Sequence, residues 1–182
     1  MKKFSRRARV ATGGAVLAAV TVGTFGAVSA NASAPQAAQA RPAAVKSSDT
    51  FTSTHLSVSA ATEAAEAVLD AAKKENQRVS VAVVDRNGNT LVTLRGDGAG
   101  PQSYESAVKK AFTSVSWNAP TSELVKRLET TPNLKDIPGT LFLGGGVPVT
   151  ANNAPVAGIG VAGAPSGDLD EKFARAGITA LD

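Results

Sequence analysis

Several residue types on which protein chemistry often depends are missing or nearly missing from this chain. It has no cysteine, one histidine (His55), and one methionine, which is the initiator Met1. Disulfides and covalent c-type haem attachment are excluded, and a zinc site would lack its usual His and Cys ligands. A Ser–His–acid hydrolase would have to use His55, and no G-x-S-x-G motif occurs. We therefore expect a binding protein more than an enzyme.

Acidic residues are absent from the first thirty positions, which have the three parts of an export signal. A basic start, MKKFSRRARV, precedes an apolar run and the small residues Ala27–Ala30, a pattern that a signal peptidase accepts. Ser5-Arg6-Arg7 is also compatible with the twin-arginine route. Because the apolar run is short and rich in Gly, Ala and Thr, residues 1–30 predict secretion rather than stable membrane insertion.

The positive charge of the chain belongs to this segment. Residues 1–30 hold five of the 19 basic residues and none of the 15 acidic ones, so the remainder carries 14 basic against 15 acidic residues. Nothing in this balance predicts nucleic acid or an anionic membrane as a partner. Residues 31–50, rich in Ala, Pro, Gln and Ser, predict a flexible tether. Residues 51–182 then form a single domain.

The periodicity of residues 51–182 predicts the order α-ββ-αα-βββ-α. A helix follows Ser59 as its N-cap, and two strands (79–85 and 90–95) flank an Asn-Gly hairpin turn. Two helices follow from Pro101 onward, then strand-like segments in 141–163 and a last helix. Because strands arrive in hairpin-linked groups, we expect an α+β fold with an antiparallel sheet of about five strands covered by helices.

The segment Gly158–Gly163 reads GIGVAG and matches the G-x-G-x-x-G dinucleotide pattern. That pattern binds a pyrophosphate only where it opens a βαβ unit whose second strand carries an acidic residue. Here a turn at Asn152-Asn153 precedes the glycines, and the pattern gives no strand after the last helix. We therefore interpret the glycines as a strand face without side chains, suited to close approach by another element.

Four segments occur in an order that resembles a known family. They are VSVAVVDRNGN, AVKKAFTSVSWNAPTSEL, GGGVPVT and NNAPVAGIGVAGAPSGDLDEKFARAGI, and the resemblance to the GlcG/HbpS family covers 56–182. One motif, K-A-x-T-A, departs at its last position, which is Ser114. With its export signal and tether, the chain is most similar to the secreted haem-binding members from actinobacteria. The resemblance implies an α+β fold, homo-oligomers, non-covalent haem, and the extracytoplasmic domain of a sensor histidine kinase as partner.

A candidate haem site lies on the helix over 102–117. At helical spacing Thr113, with Lys109 and Lys110 beside it, points away from the apolar stripe that contains Tyr104. A hydroxyl between two ammonium groups would suit an oxygen-ligated ferric haem with paired propionates. The simpler interpretation is an ordinary solvated helix face. The resemblance to the family over K-A-x-T makes the ligand-site interpretation about equal to it. Tyr104 itself is predicted to belong to the core.

A second candidate is an iron site on the first helix. Glu63 and Glu66, with Asp70 one turn later, place carboxylates along one side, and hard oxygen ligands suit iron. A row of this kind is more often the solvated face of an amphipathic helix.

These observations favour an extracellular haem-binding protein that reports haem and redox status to a membrane sensor kinase. The alternative is a small-molecule or cofactor-binding enzyme domain like the cytoplasmic relatives, with its site beside the glycine face of 158–160.

Overall fold

A computed structural model describes residues 44–182, and a compact unit spans Lys46–Asp182. The predicted export signal and most of the predicted tether lie outside the described residues. The helices are α1 (Val58–Lys74), α2 (Pro101–Trp117), α3 (Thr121–Lys126) and α4 (Gly167–Thr179). The strands are β1 (Ser80–Asp85), β2 (Thr90–Arg95), β3 (Gly146–Ala151) and β4 (Ala154–Ala162).

The four strands form one antiparallel sheet in the order β2-β1-β4-β3, which confirms the α+β prediction. The expected fifth strand is absent from residues 44–182. Residues 141–143 do not join the sheet, because three glycines follow them and Gly145 takes a φ of 123° that turns the chain before β3 begins. The first helix also begins earlier than predicted, with Ser57 rather than Ser59 as its N-cap.

Helices cover both faces of the sheet. On one face α1 and α4 pack together over branched side chains, including Val81, Val83 and Ile159. Phe173 of α4 is fully enclosed among them. This face is an ordinary hydrophobic core, where burial of each large side chain contributes about 1.5–3 kcal/mol.

The opposite face, under α2, is made of small residues. Along β4, Ile159 and Val161 point to the α1 and α4 side, whereas Gly158 and Gly160 face α2. A Cβ atom added at Gly158 would overlap the carbonyl oxygen of Ala111, and one at Gly160 would overlap that of Ala107. The helix backbone therefore lies directly on the strand, as predicted for the glycine face.

This close contact rotates α2 away from the orientation predicted from its large side chains. The helix buries small residues toward the sheet, namely Ser103, Ala107, Ala111 and Ser114. The Ser103 and Ser80 hydroxyl oxygens lie 2.8 Å apart across the interface. Tyr104, predicted to belong to the core, is 48% exposed. That prediction was wrong because the sheet offers no room for large side chains at the contact.

Replacement of Gly160 by alanine tests the contact. The new Cβ would press on the backbone of α2 at Ala107 and Ala111, so we expect the free energy of unfolding to fall by about 3 kcal/mol. The control is Gly100→Ala, where φ is −61° and a Cβ meets only the flexible end of Gln102. There we expect a loss below about 1 kcal/mol. Urea denaturation followed by circular dichroism measures both, and equal small losses would contradict the close approach.

Candidate functional site

Lys110, predicted to face solvent, lies inside the protein at 4% exposure. Its Nζ donates to Asp170 Oδ2 of α4 at 2.7 Å and to the Val161 carbonyl of β4 at 3.0 Å. Asp170 Oδ1 accepts a hydrogen bond from the Ala164 amide at 3.0 Å. The ammonium group thus links α2 to the end of β4 and to α4. The prediction that the Lys110 side chain faces solvent was wrong.

Thr113 is also fully buried, contrary to the predicted solvated orientation. Its hydroxyl donates to the Lys109 carbonyl at 2.7 Å and accepts from the Leu141 amide at 2.8 Å. The loop that precedes β3 therefore covers this side of α2. Both polar functions of the threonine are used, so neither Thr113 nor Lys110 presents a free polar atom to a ligand in this conformation.

Lys109 keeps the solvated position that the sequence predicts. Its side chain is 40% exposed and pairs with Glu105 at 2.7 Å, one turn earlier. The hydrogen bond and the charge of Lys109 hold the pKa of Glu105 below its usual value. Exposed pairs of this kind are weak, so Lys109 can exchange Glu105 for the carboxylate of a ligand at little cost.

Part of the apolar stripe that was predicted to face the core forms a strip at the surface beside Lys109. Tyr104, Val108 and Phe112 follow one another at i, i+4 and i+8 along the outer edge of the α2 contact, and we name this strip with Lys109 the α2 flank. Val108 and Phe112 are half-buried, and the Phe112 ring lies against Gly88 in the β1–β2 turn. The small residues at i and i+4 of α2, Ser103 and Ala107, were the signal that could have placed it.

The neighbouring strand supplies a polar atom without a partner. Thr93 Oγ1 is buried and has no hydrogen bond within residues 44–182. Thr93 is opposite Ala82 in the β1–β2 register, and Ala82 packs on α2, so Thr93 points to the same face of the sheet. A buried hydroxyl without a protein partner is uncommon in folded proteins, and an ordered water commonly supplies the missing hydrogen bond.

Two described residues belong to the usual axial-ligand types for haem, His55 and Tyr104. His55 is exposed, and its Nε2 lies 2.6 Å from Ser53 Oγ.

Glu63 and Glu66 are exposed on α1, as predicted. Across residues 44–182 no three His, Cys, Asp or Glu side chains form a cluster that could hold a metal ion. Iron binding by this pair of glutamates stays a prediction.

The alternative site beside Gly158 and Gly160 is not available, because α2 covers that face. GIGVAG ends in a turn at Gly163, whose φ is 125°, and in the part of the chain that is described no strand follows α4. Both observations agree with the interpretation of GIGVAG as a strand face and not as a dinucleotide-binding loop. No helix among the described residues is long and apolar enough to cross a membrane.

Comparison with known proteins identifies the family. A family model described as "Haem degrading protein HbpS-like" matches residues 56–179. The chain belongs to the HbpS-like family. A double Glu-to-Asp mutant of Streptomyces reticuli HbpS is 71% identical, with a TM-score of 0.78 over 79% of this chain and 98% of that one.

More distant relatives share the fold. A crystallised PduOC–haem complex is 26% identical with a TM-score of 0.64, over 70% of this chain and 95% of that one. An uncharacterised 15.0 kDa protein from the dhaT-dhaS intergenic region of Citrobacter freundii is 31% identical over 113 residues, which is 59% of this chain and 80% of that protein.

Two buried aspartates near α2 have opposite pKa shifts. Burial raises the pKa of Asp170 above its ordinary value of 3.8, and the hydrogen bond and charge of Lys110 offset only part of this. Burial acts in the same direction on Asp85, but hydrogen bonds from the Asn89 side chain and from the Asn89 and Asn87 amides outweigh it and lower that pKa.

These shifts predict opposite dependences of stability on pH. The raised pKa of Asp170 contributes stability that is present below 3.8 and lost as pH rises, so the advantage of wild type over Asp170→Asn should shrink from pH 3.5 to pH 7. The lowered pKa of Asp85 contributes stability above 3.8, so the advantage over Asp85→Asn should grow across the same range. Urea denaturation at pH 3.5, 5 and 7 measures both, and parallel trends would contradict the assignment.

Proposed function

We propose that this protein is exported, binds haem non-covalently, and reports haem and redox status to the extracytoplasmic domain of a membrane sensor histidine kinase. Membership of the HbpS-like family and 71% identity to Streptomyces reticuli HbpS support the haem part. The haem complex of the related PduOC supports it further. The signal-like sequence of residues 1–30 supports the extracellular location.

The α2 flank is the surface of this chain that suits a porphyrin, and its exposed tyrosine carries the proposal. Val108 and Phe112 supply an apolar surface for the ring, and Tyr104 has an oxygen of a type that ligates haem iron. Lys109 can pair with a propionate. Bound haem would supply the iron centre whose oxidation state is sensed.

Of the three haem contacts predicted from the sequence, Lys109 keeps a direct role in this proposal. Thr113 and Lys110 become positioning residues. The Thr113 hydroxyl holds the loop at Leu141 over α2, and Lys110 fixes α2 to Asp170. Their replacement would alter haem binding through the placement of the helix.

Titration of the purified protein with haemin tests the site. We expect a saturable Soret shift at micromolar protein, a displaced band position in Tyr104→Phe because the phenolate ligand is lost, and a severalfold weaker affinity in Lys109→Ala. Lys126→Ala, an exposed lysine on α3, serves as the control. An unchanged spectrum in Tyr104→Phe together with an altered one in Thr113→Val would overturn the flank in favour of the ligand predicted from the sequence.

The haem-free and haem-loaded protein can then test the signalling part. We expect both forms to assemble as homo-oligomers in light scattering, as membership of the HbpS-like family suggests. An immobilised extracytoplasmic kinase domain should capture the two forms to different extents. Equal capture would leave a haem-binding protein without a reporting role.

We also propose that Glu63 and Glu66 bind iron at the surface of α1. The substituted glutamates of the Streptomyces reticuli mutant are three positions apart, and in this sequence that spacing between glutamates occurs once, at this pair. Two carboxylates supply oxygen ligands, and water would complete the coordination of a hard ion. Ferric iron binding should fall at least tenfold in the Glu63→Gln, Glu66→Gln double variant and stay unchanged in Glu105→Gln. Equal binding by all three proteins would refute the site.

A further inference from the structure

A cleft of about 490 Å³ opens at the end of the sheet opposite the β1–β2 turn, where α1 and β2 end and β1 begins. Its volume is within the range of small-molecule sites, about 300–1,000 Å³. It is separate from the α2 flank, and its lining includes Leu69, Lys73, Arg78, Arg95 and Asp97.

The walls of the cleft are held by backbone hydrogen bonds. The Gln77 amide donates to the Ala72 carbonyl at 2.9 Å, which closes the end of α1. The Gly96 amide donates to Val79 at 2.9 Å, on the other side. Arg95 is fixed by two hydrogen bonds from its guanidinium to the Ala99 carbonyl, at 2.6 and 3.1 Å. The backbone that frames the cleft is therefore fixed before a ligand binds, whereas the exposed side chains of Lys73 and Arg78 would be ordered on binding.

Three cations line the cleft, Lys73, Arg78 and Arg95, against two acids, Asp70 and Asp97. None of the ion pairs within residues 44–182 involves any of these five residues. The Arg78 side chain lies against Gly98, from its Cδ to one guanidinium nitrogen. The cleft therefore has a net positive charge and cationic groups that are not neutralised by contact.

The residues that line the cleft do not suit haem. It contains no His, Cys, Met or Tyr, which are the usual ligands of haem iron. Leu69, Ala72 and Val79 contribute apolar surface beside the cations. A ligand that suits both features has a carboxylate group joined to a short apolar carbon chain, whether or not a second carboxylate ends that chain.

We propose that this cleft binds small organic carboxylates, with the carboxylate at Arg78 and Lys73 and the apolar part against Leu69. The proposal does not depend on haem binding. Arginine recognises a carboxylate through two parallel hydrogen bonds, and lysine adds a point charge.

The experiment uses glutarate as the probe with the haem-free protein. Amide NMR spectra should show saturable shifts of Gly96, Asp97 and Gly98, with millimolar affinity. Glutaramide, which has the same carbon chain without charge, should not produce them. Inorganic phosphate separates an organic-anion site from a general anion site: saturable shifts with phosphate and none with glutarate would overturn the proposal, as would equal shifts with glutaramide.

Variants then assign the contacts. Arg78→Gln should weaken glutarate binding about tenfold and Lys73→Gln about threefold, since each removes a charge-assisted contact. Lys74→Gln is the matched control, because Lys74 is exposed on the next position of α1 and does not line the cleft. An equal loss in Lys74→Gln would show that general charge, and not this cleft, binds the probe. Absence of any saturable shift in wild type would overturn the proposal outright.

Discussion

The contact between the backbone of α2 and the glycine face of β4 is the constraint on which the rest of the structure depends. Because Gly158 and Gly160 have no side chains, Ala107 and Ala111 can lie directly on the strand. Interiors pack at nearly crystalline density, so such an interface tolerates neither added atoms nor rotation of the helix. The rotation of α2 therefore follows from the sheet, and it decides which side chains of α2 are available for function.

The polar residues of α2 act mainly on structure. Lys110 would be a costly buried charge without Asp170, and removal of one member of such a pair commonly costs 3–5 kcal/mol. Thr113 satisfies the backbone of the loop before β3. The polar groups of α2 that remain available to a ligand lie at the edge of the contact, where Tyr104 and Lys109 reach solvent. The fold separates a polar interior from an exposed flank, which is where the proposed haem site lies.

Much of the fold could be predicted from the sequence, because its signals are local. The α+β class, the hairpin at Gly88, the turn at Asn152-Asn153 and the glycine face all follow from short patterns, and the structure confirms them. The rotation of α2 was predicted wrongly because the prediction followed the large side chains, whereas the small residues Ser103 and Ala107 mark the buried side. The burial of Lys110 depends on Asp170, sixty positions later, which no pattern within one helix reveals.

The order of the elements along the chain has a consequence for how the protein matures. β1 pairs with β4, which is made some seventy residues later, and the partner of Lys110 arrives later still, in α4. A chain that is synthesised from its N-terminus therefore exposes α2 and the unpaired ammonium of Lys110 before either can be enclosed. Such non-local closure makes folding slow. We therefore expect no stable partly folded form of the domain before its last helix has been synthesised.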